Sequence, residues 1–160
     1  MTVLGIDPGI ARCGWGVVEK NGSANLKTID FGCVVTKSIT DEAVRLSQLY
    51  EEIRRLIKKY KPDVVAVEKL FFAANVKTAL TVGQARGAIL VAAGTAGIPI
   101  AAYTPLEVKQ AITGYGRAEK EQMQRMITKT LGLSQVPQPD DTADALAVAV
   151  TYCFMKNYDR

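Results

Sequence analysis

Runs of apolar residues at the start of the chain predict a β-hairpin. Val3, Leu4 and Ile6 form the first run, which stops at Asp7 because Pro-Gly follows, and Trp15 to Val18 form the second. A turn signal, Asn21-Gly22, ends the second run. Short apolar runs bounded by turn residues are typical of buried strands. We therefore expect two paired strands joined by a long loop, followed by a third strand over residues 25–36.

The next segment predicts a crossover helix and a strand parallel to the first. Apolar residues recur at helical spacing from Thr40, the expected N-cap, to about Tyr60, and Pro62 ends the pattern. The run Asp63 to Glu68 then resembles a short buried strand. Strands joined through a helix usually lie parallel, and their carboxyl ends share one edge of the sheet. Glu68 and Asp7 are therefore expected to meet at that edge.

The remaining pattern predicts one more strand and four more helices. The predicted elements are a long helix from Val76 to about Gly97, a strand from Ile98 to Tyr103, helices from Thr104 to about Ile112 and from Ala118 to Leu131, and a last helix from Asp140 to about Met155. Thr104, Pro105 and Glu107 form a capping-box signal. Glycines inside the long helix destabilise it unless another element packs closely there, either a partner subunit or a neighbour in the same chain.

Composition narrows the class of protein. One hundred and sixty residues suit a single domain, 1–160, and the chain has no histidine, which excludes a Ser-His-Asp triad and His-rich metal sites. The cysteines Cys13, Cys33 and Cys153 are odd in number and widely spaced, which favours a reducing compartment. No secretory signal or membrane-spanning pattern is apparent, so we expect a cytoplasmic protein. The net charge of +4 favours a nucleic-acid partner only mildly.

Acidic residues are the candidate chemistry. Asp7 alone could be a turn-former before Pro-Gly, and one acid at the start of the last helix could be an N-cap. However, Asp141 and Asp144 are three residues apart, hence on one helical face, and Asp140 precedes them. Like charges at that spacing repel, and divalent cations would remove the repulsion. Carboxylates are the oxygen ligands that Mg²⁺ and Mn²⁺ prefer.

Basic and aromatic residues near these acids allow two interpretations. Lys109 and Lys120 could be ordinary surface lysines, although Lys120 in the first turn of a helix opposes the helix dipole, which favours a phosphate partner. The adjacent aromatics Phe71 and Phe72 could both cover the core, or one could stack on nucleic-acid bases.

Six segments, in this order and spacing, resemble the RuvC family of Holliday junction resolvases over nearly the whole chain. They are Gly5 to Ile10, Val67 to Phe72, Gly83 to Gly87, Val108 to Ile112, Gly114 to Lys120, and Asp141 to Ala147. The resemblance implies an α/β, RNase H-like fold with a five-stranded mixed β-sheet flanked by α-helices. It also implies a homodimer that cuts two opposing strands of a four-way DNA junction, with a RuvA and RuvB branch-migration complex as a further partner.

The resemblance also assigns roles by position. The metal ligands and catalytic acids would be Asp7, Glu68, Asp141 and Asp144, holding two Mg²⁺ or Mn²⁺ ions, with Lys109 and Lys120 as the active-site lysines. Phe71 would lie beside the junction bases and the Gly83 to Gly87 helix at the dimer contact. The other residues expected to contact DNA are Phe72, Lys69, Asn75, Lys77 and Arg117. One departure is Asp140, an additional acid that could share the role of Asp141.

Two other classes of protein compete with this interpretation. The hairpin with its Asp-Pro-Gly loop is also similar to the phosphate loop of actin-like and sugar-kinase-like ATPases, but those need a second lobe for which this chain is too short. A module that binds junctions without cutting them is the other alternative, and the acid cluster argues against it.

Overall fold

The structure, a computed structural model, describes residues 1–22, 25–69 and 76–156, and at positions 76–78 it describes the backbone only. Its strands are β1 (Thr2–Asp7), β2 (Arg12–Asn21), β3 (Asn25–Val35), β4 (Val64–Glu68) and β5 (Ile100–Tyr103). Its helices are α1 (Glu42–Tyr60), α2 (Val76–Thr95), α3 (Pro105–Thr113), α4 (Lys120–Thr130) and α5 (Asp140–Met155).

The described strands form one mixed sheet in the order β3-β2-β1-β4-β5. Strands β1, β2 and β3 are antiparallel, whereas β4 runs parallel to β1 and β5 runs parallel to β4. The predicted hairpin is confirmed, since Asp7 at the end of β1 pairs with Gly14 of β2. The predicted parallel pairing is confirmed too, with Ile6 beside Val67.

Helices cover both faces of this sheet because successive strand residues point to opposite sides. Leu4 and its neighbours on one face belong to a core with α1 and α2, which includes Leu49 and Ile89. Val3 on the other face belongs to a core with α3, α4 and α5, which includes Ile127. The expected α/β architecture, a five-stranded mixed sheet flanked by helices, is confirmed.

Helix α5 lies directly on the sheet because three strand residues beneath it are glycines. A Cβ atom added to Gly5 would lie 2.2 Å from the Ala145 carbonyl oxygen. One added to Gly14 would lie 1.9 Å from the Asp141 carbonyl oxygen, and one on Gly16 would lie 2.6 Å from the Leu146 side chain. Helix α5 can therefore lie closer to β1 and β2 than it could if any residue other than glycine stood at these positions.

Several element ends differ from the sequence predictions. Asp41, not Thr40, is the N-cap of α1, because its carboxylate accepts a hydrogen bond from the Ala43 N–H. Strand β5 begins at Ile100, two residues later than predicted, and α4 begins at Lys120 rather than at residue 118. The capping box of α3 is confirmed: Thr104 and Glu107 exchange hydrogen bonds.

Within the described part of the chain, no helix is both long and apolar enough to span a bilayer. Cys13, Cys33 and Cys153 carry free thiols, and Cys13 and Cys153 are buried.

Candidate active site

Two carboxylates meet at the ends of adjacent parallel strands. Asp7 is the last residue of β1 and Glu68 the last residue of β4, one position beyond the paired residues Ile6 and Val67. Their side chains are hydrogen-bonded to each other. The sequence prediction that parallel strands bring these two acids to one edge agrees with this placement.

The first turns of α5 bring further acids to the same edge. Asp141 lies above Gly14, the residue that pairs with Asp7, because the helix rests on the glycines of β1 and β2. Asp144 follows one turn later, and the side chains of Asp141 and Asp144 are only 22% and 20% exposed. Strand and helix thus place four carboxylates, distant in sequence, within electrostatic reach of one another.

Burial and mutual repulsion raise the pKa values of three of these acids. Burial, together with the charges of Glu68, Asp144 and Asp141, raises the pKa of Asp7 to about 8. Burial and the charge of Asp144 raise the pKa of Glu68 to about 7, although the hydrogen bond from Asp7 opposes the shift. Burial also raises the pKa of Asp144. Without a cation, the site therefore retains protons near neutral pH.

Two lysines stand at the rim of the acids. Lys120 Nζ lies 2.6 Å from Asp140 Oδ2 and 3.1 Å from Asp144 Oδ2. Partial burial lowers the pKa of Lys120, but its hydrogen bond to Asp140 and the charge of Asp144 raise it by more. The net effect is a raised pKa. Lys109 is close enough for its charge to lower the pKa of Glu68. Both lysines also line a small cavity of about 140 Å³ with Glu68 and Asp144.

The position of Lys120 therefore has an explanation within the chain. The sequence suggested a phosphate partner because a lysine at a helix start opposes the dipole. In the structure, two carboxylates of α5 compensate for that charge. Asp140 contacts Lys120, and this hydrogen-bonded ion pair lowers the pKa of Asp140.

Arg12 was missed in the sequence analysis. It is the first residue of β2, and its Nε atom lies 3.1 Å from Asp141 Oδ2, while its NH2 group lies 3.9 Å from Asp140 Oδ1. An arginine five residues after a candidate catalytic aspartate, in the loop of a predicted hairpin, was the available signal. That signal is weak because nothing local indicates which way the side chain points.

The donor chemistry of the cluster fits a hard divalent cation. Asp141 Oδ2 and Asp144 Oδ1 are buried and accept no hydrogen bond among the described residues. Such oxygens are costly to bury unless a cation compensates for them. In the described ranges, however, no three Asp, Glu or Cys side chains are already arranged to hold a metal ion. Asp141 and Asp144 lie instead beside Arg12 and Lys120.

The predicted DNA-contacting residues are only partly covered by the structure. Lys69, directly after β4, and Arg117, between α3 and α4, are exposed. Lys77 lies in the first turn of α2, where only the backbone is described. Phe71, Phe72 and Asn75 lie outside the described residues.

Comparison with known proteins identifies the family. Residues 3–152 match the sequence profile of the family described as crossover junction endodeoxyribonuclease RuvC. The chain belongs to the RuvC family. A curated relative of that name from Syntrophomonas wolfei is 52% identical over 158 residues, which cover 99% of this chain and 90% of the relative.

Solved structures of the family share the fold. The structure of Thermus thermophilus RuvC aligns with a TM-score of 0.91 at 39% identity, covering 99% of this chain and 97% of that one. A second T. thermophilus RuvC structure, in complex with a Holliday junction substrate, aligns with a TM-score of 0.90 at 37% identity and covers 99% of this chain and 96% of that one. The fold is therefore RNase H-like, as expected from the resemblance.

Proposed function

We propose that this protein is a structure-specific endonuclease that resolves Holliday junctions by paired, symmetric, metal-dependent nicks in two opposing strands. Membership of the RuvC family supports the activity. The observation that supports its assignment to particular residues is the cluster of acidic side chains. Asp7, Glu68, Asp141 and Asp144 come from two strands and one helix, yet each influences the charge state of another. A junction-binding module without catalysis would not need that costly arrangement.

Asp7, Glu68, Asp141 and Asp144 are the proposed ligands of Mg²⁺, with two ions per site and Mn²⁺ as a substitute. Bound ions would activate a water molecule and stabilise the leaving 3′ oxygen of the phosphodiester. Asp144 Oδ1 and Asp141 Oδ2 support this assignment, because both are buried and accept no hydrogen bond among the described residues, although Arg12 lies 3.1 Å from Asp141 Oδ2. Because burial and mutual repulsion raise the pKa of Asp7 to about 8 and that of Glu68 to about 7, metal binding near neutral pH is expected to release protons.

Lys109 and Lys120 are proposed to contact the scissile strand. Both lie at the rim of the cluster, where a phosphate must approach a group of negative charges. An ammonium group there attracts the phosphate and stabilises the negative charge that grows on its oxygens during attack. Lys120 is 51% exposed, so it can exchange a carboxylate partner for a phosphate at small cost.

A homodimer through α2 is the proposed assembly. Leu80 and Val91 are 66% and 58% exposed, and a Cβ atom on Gly87 would meet nothing within 4 Å. These residues are separated by seven and four positions and so lie on one helical face. The glycines of α2 could make room for a neighbour in the same chain or for a partner subunit. Because no described residue lies close to Gly87, a partner subunit is favoured. A two-fold dimer matches the two-fold symmetry of a four-way junction.

The remaining assignments follow the family resemblance. Phe71, Phe72, Lys69, Asn75, Lys77 and Arg117 are proposed to contact junction DNA. A RuvA and RuvB branch-migration complex is the proposed further partner, and the cytoplasm is the proposed compartment. Residues 1–160 are proposed to act as one nuclease domain.

The deciding experiment is a cleavage assay on a synthetic four-way junction. With Mg²⁺, we expect paired nicks at symmetric positions in opposing strands, and no cutting of a linear duplex of the same sequence. Chelation by EDTA should abolish nicking but leave the protein folded. Binding without nicking in Mg²⁺ or Mn²⁺ would instead support the non-catalytic module.

A further inference from the structure

Arg12 is a basic residue at the acid cluster that the assignments above leave unused. Its guanidinium reaches Asp141 from the sheet side, whereas Lys120 reaches Asp144 from the α4 side. Asp140 lies between them, 3.9 Å from Arg12 and 2.6 Å from Lys120. Acidic and basic side chains therefore alternate along the first two turns of α5, and Arg12 and Lys120 each have two carboxylate neighbours.

The backbone under Arg12 is fixed more firmly than its side chain. The loop from Pro8 to Ala11 folds back so tightly that a Cβ atom on Gly9 would lie 2.2 Å from the Arg12 carbonyl oxygen. Ala11 also accepts a hydrogen bond from the Thr36 N–H, 3.1 Å in length. The Arg12 side chain, by contrast, is 53% exposed. The guanidinium is thus attached to a fixed backbone beside Asp141 and can still move.

The contact between Arg12 and Asp141 is an ion pair without a hydrogen bond. Arg12 Nε lies 3.1 Å from Asp141 Oδ2, yet that oxygen accepts no hydrogen bond among the described residues, so the N–H does not point at it. Arg12 is 53% exposed although Asp141 Oδ2 is buried, and an ion pair that is open to solvent on one side and lacks a hydrogen bond is weak. A divalent cation or a phosphate can therefore displace either partner.

We propose that Arg12 is a phosphate-binding residue of the cleavage site, held on Asp141 in the free protein and transferred to a DNA phosphate when Asp141 turns toward the metal. The inference rests on the proposed function. Arginine suits this task because its planar fork binds two phosphate oxygens at once. Asp140 gives the guanidinium a second carboxylate, so Arg12 stays at the mouth of the site after Asp141 leaves it.

The alternative is that Arg12 is a structural tie between the β1–β2 loop and α5. A structural arginine would keep its contact with Asp141 with or without metal and DNA. Its removal would then misplace Asp141, a proposed metal ligand. The two ideas predict opposite effects on metal affinity. Removing a competing cation strengthens metal binding to the free protein, whereas removing a tie weakens it.

The test compares Arg12→Gln and Arg12→Lys with a matched control, Arg55→Gln. Arg55 forms a half-exposed ion pair of 2.7 Å with Glu52 on α1, on the other face of the sheet. Mn²⁺ affinity is measured on the DNA-free protein by calorimetry, and cleavage of a four-way junction is measured under single-turnover conditions at several salt concentrations. Thermal unfolding of each variant verifies that it is folded.

For Arg12→Gln we expect Mn²⁺ binding stronger by up to about fivefold. We also expect a cleavage rate at least about tenfold lower. The junction concentration that gives half the maximal rate should depend less steeply on salt, with a slope reduced by about one, as expected for the loss of one phosphate contact. Arg12→Lys should recover part of the rate, and Arg55→Gln should match the unaltered protein. Weaker Mn²⁺ binding in Arg12→Gln, or cleavage with an unchanged rate and salt slope, would overturn the inference. If the unaltered protein itself fails to cut junctions, the proposed function falls and this inference with it.

Discussion

Gly14 of β2 and Asp141 of α5 approach so closely that a Cβ atom on Gly14 would lie 1.9 Å from the Asp141 carbonyl oxygen. Gly14 also pairs directly with Asp7. One residue without a side chain thus sets the separation between the strand acid and the helix acid. The distance between the carboxylates therefore depends on this backbone contact, in addition to which residues carry them.

Gly14→Ala is expected to lower the free energy of unfolding by about 2 kcal/mol or more, because an added methyl group pushes α5 off the sheet. Junction cleavage should fall further than stability alone explains, since Asp141 and Asp144 move away from Asp7. Chemical denaturation and the cleavage assay measure the two effects. Ser47→Ala on α1 is the control, because that side chain is exposed and lies outside α2 and the acid cluster. Equal stability of both variants would contradict the close contact.

Asp7→Asn is expected to keep junction binding and lose cleavage. The amide preserves the shape and removes the charge that a metal ion needs, and the loss in single-turnover rate should be on the order of a hundredfold or more. Gel-shift binding and strand nicking are measured on the same four-way junction. Retained Mg²⁺-dependent nicking would show that Asp7 is not a metal ligand of this enzyme.

The metal-free protein is expected to lose stability as the pH rises. Folding raises the pKa of Asp7 from 3.8 to about 8 and that of Glu68 from 4.5 to about 7. The folded state therefore binds protons more tightly than the unfolded state. The stability that these carboxyls contribute is complete below about pH 4 and is lost progressively as the pH rises to about 8.

Denaturation in EDTA at pH 5 and pH 8.5 measures this effect. We expect a loss of at least about 2 kcal/mol in the free energy of unfolding, since one pKa unit corresponds to about 1.4 kcal/mol. Asp7→Asn should flatten the profile, and saturating Mg²⁺ should restore stability at the higher pH. A profile that rises with pH in EDTA would mean that the acids are not forced together in the fold.

Val91→Glu on α2 is expected to weaken the proposed dimer. The side chain is 58% exposed in the single chain, so the substitution leaves the fold intact while it places charge in the interface. Sedimentation equilibrium should show a dissociation constant at least about tenfold higher, equivalent to about 1.4 kcal/mol. Ile39→Glu is the control, because Ile39 is 92% exposed and lies outside α2. A dimer unaffected by Val91→Glu would place the interface elsewhere.

Phe71→Ala is expected to slow junction cleavage with the fold unchanged. An aromatic side chain that stacks on an unstacked base contributes about 1–3 kcal/mol, so the rate should fall at least about fivefold. Phe71→Trp, which preserves an aromatic face, is the matched variant. Cleavage of junctions by Phe71→Ala at the original rate would remove the proposed stacking role.

The sequence by itself determined the elements and their order. Apolar runs and turn signals located β1, β2 and β4, and the capping box located the start of α3. The rule for crossover connections placed Asp7 and Glu68 at one edge of the sheet. These features are local, or follow from handedness, so no knowledge of long-range packing is needed.

The tertiary structure alone decided the distance of α5 from the sheet and the partners of each charge. Gly5, Gly14 and Gly16 have ordinary strand positions in the sequence, and only the helix above them shows why a side chain is excluded. Likewise, Arg12 and Lys120 are 108 residues apart in the chain, yet both contact Asp140. Contacts between residues so far apart depend on the packing of the whole fold, and periodicity in sequence carries no information about them.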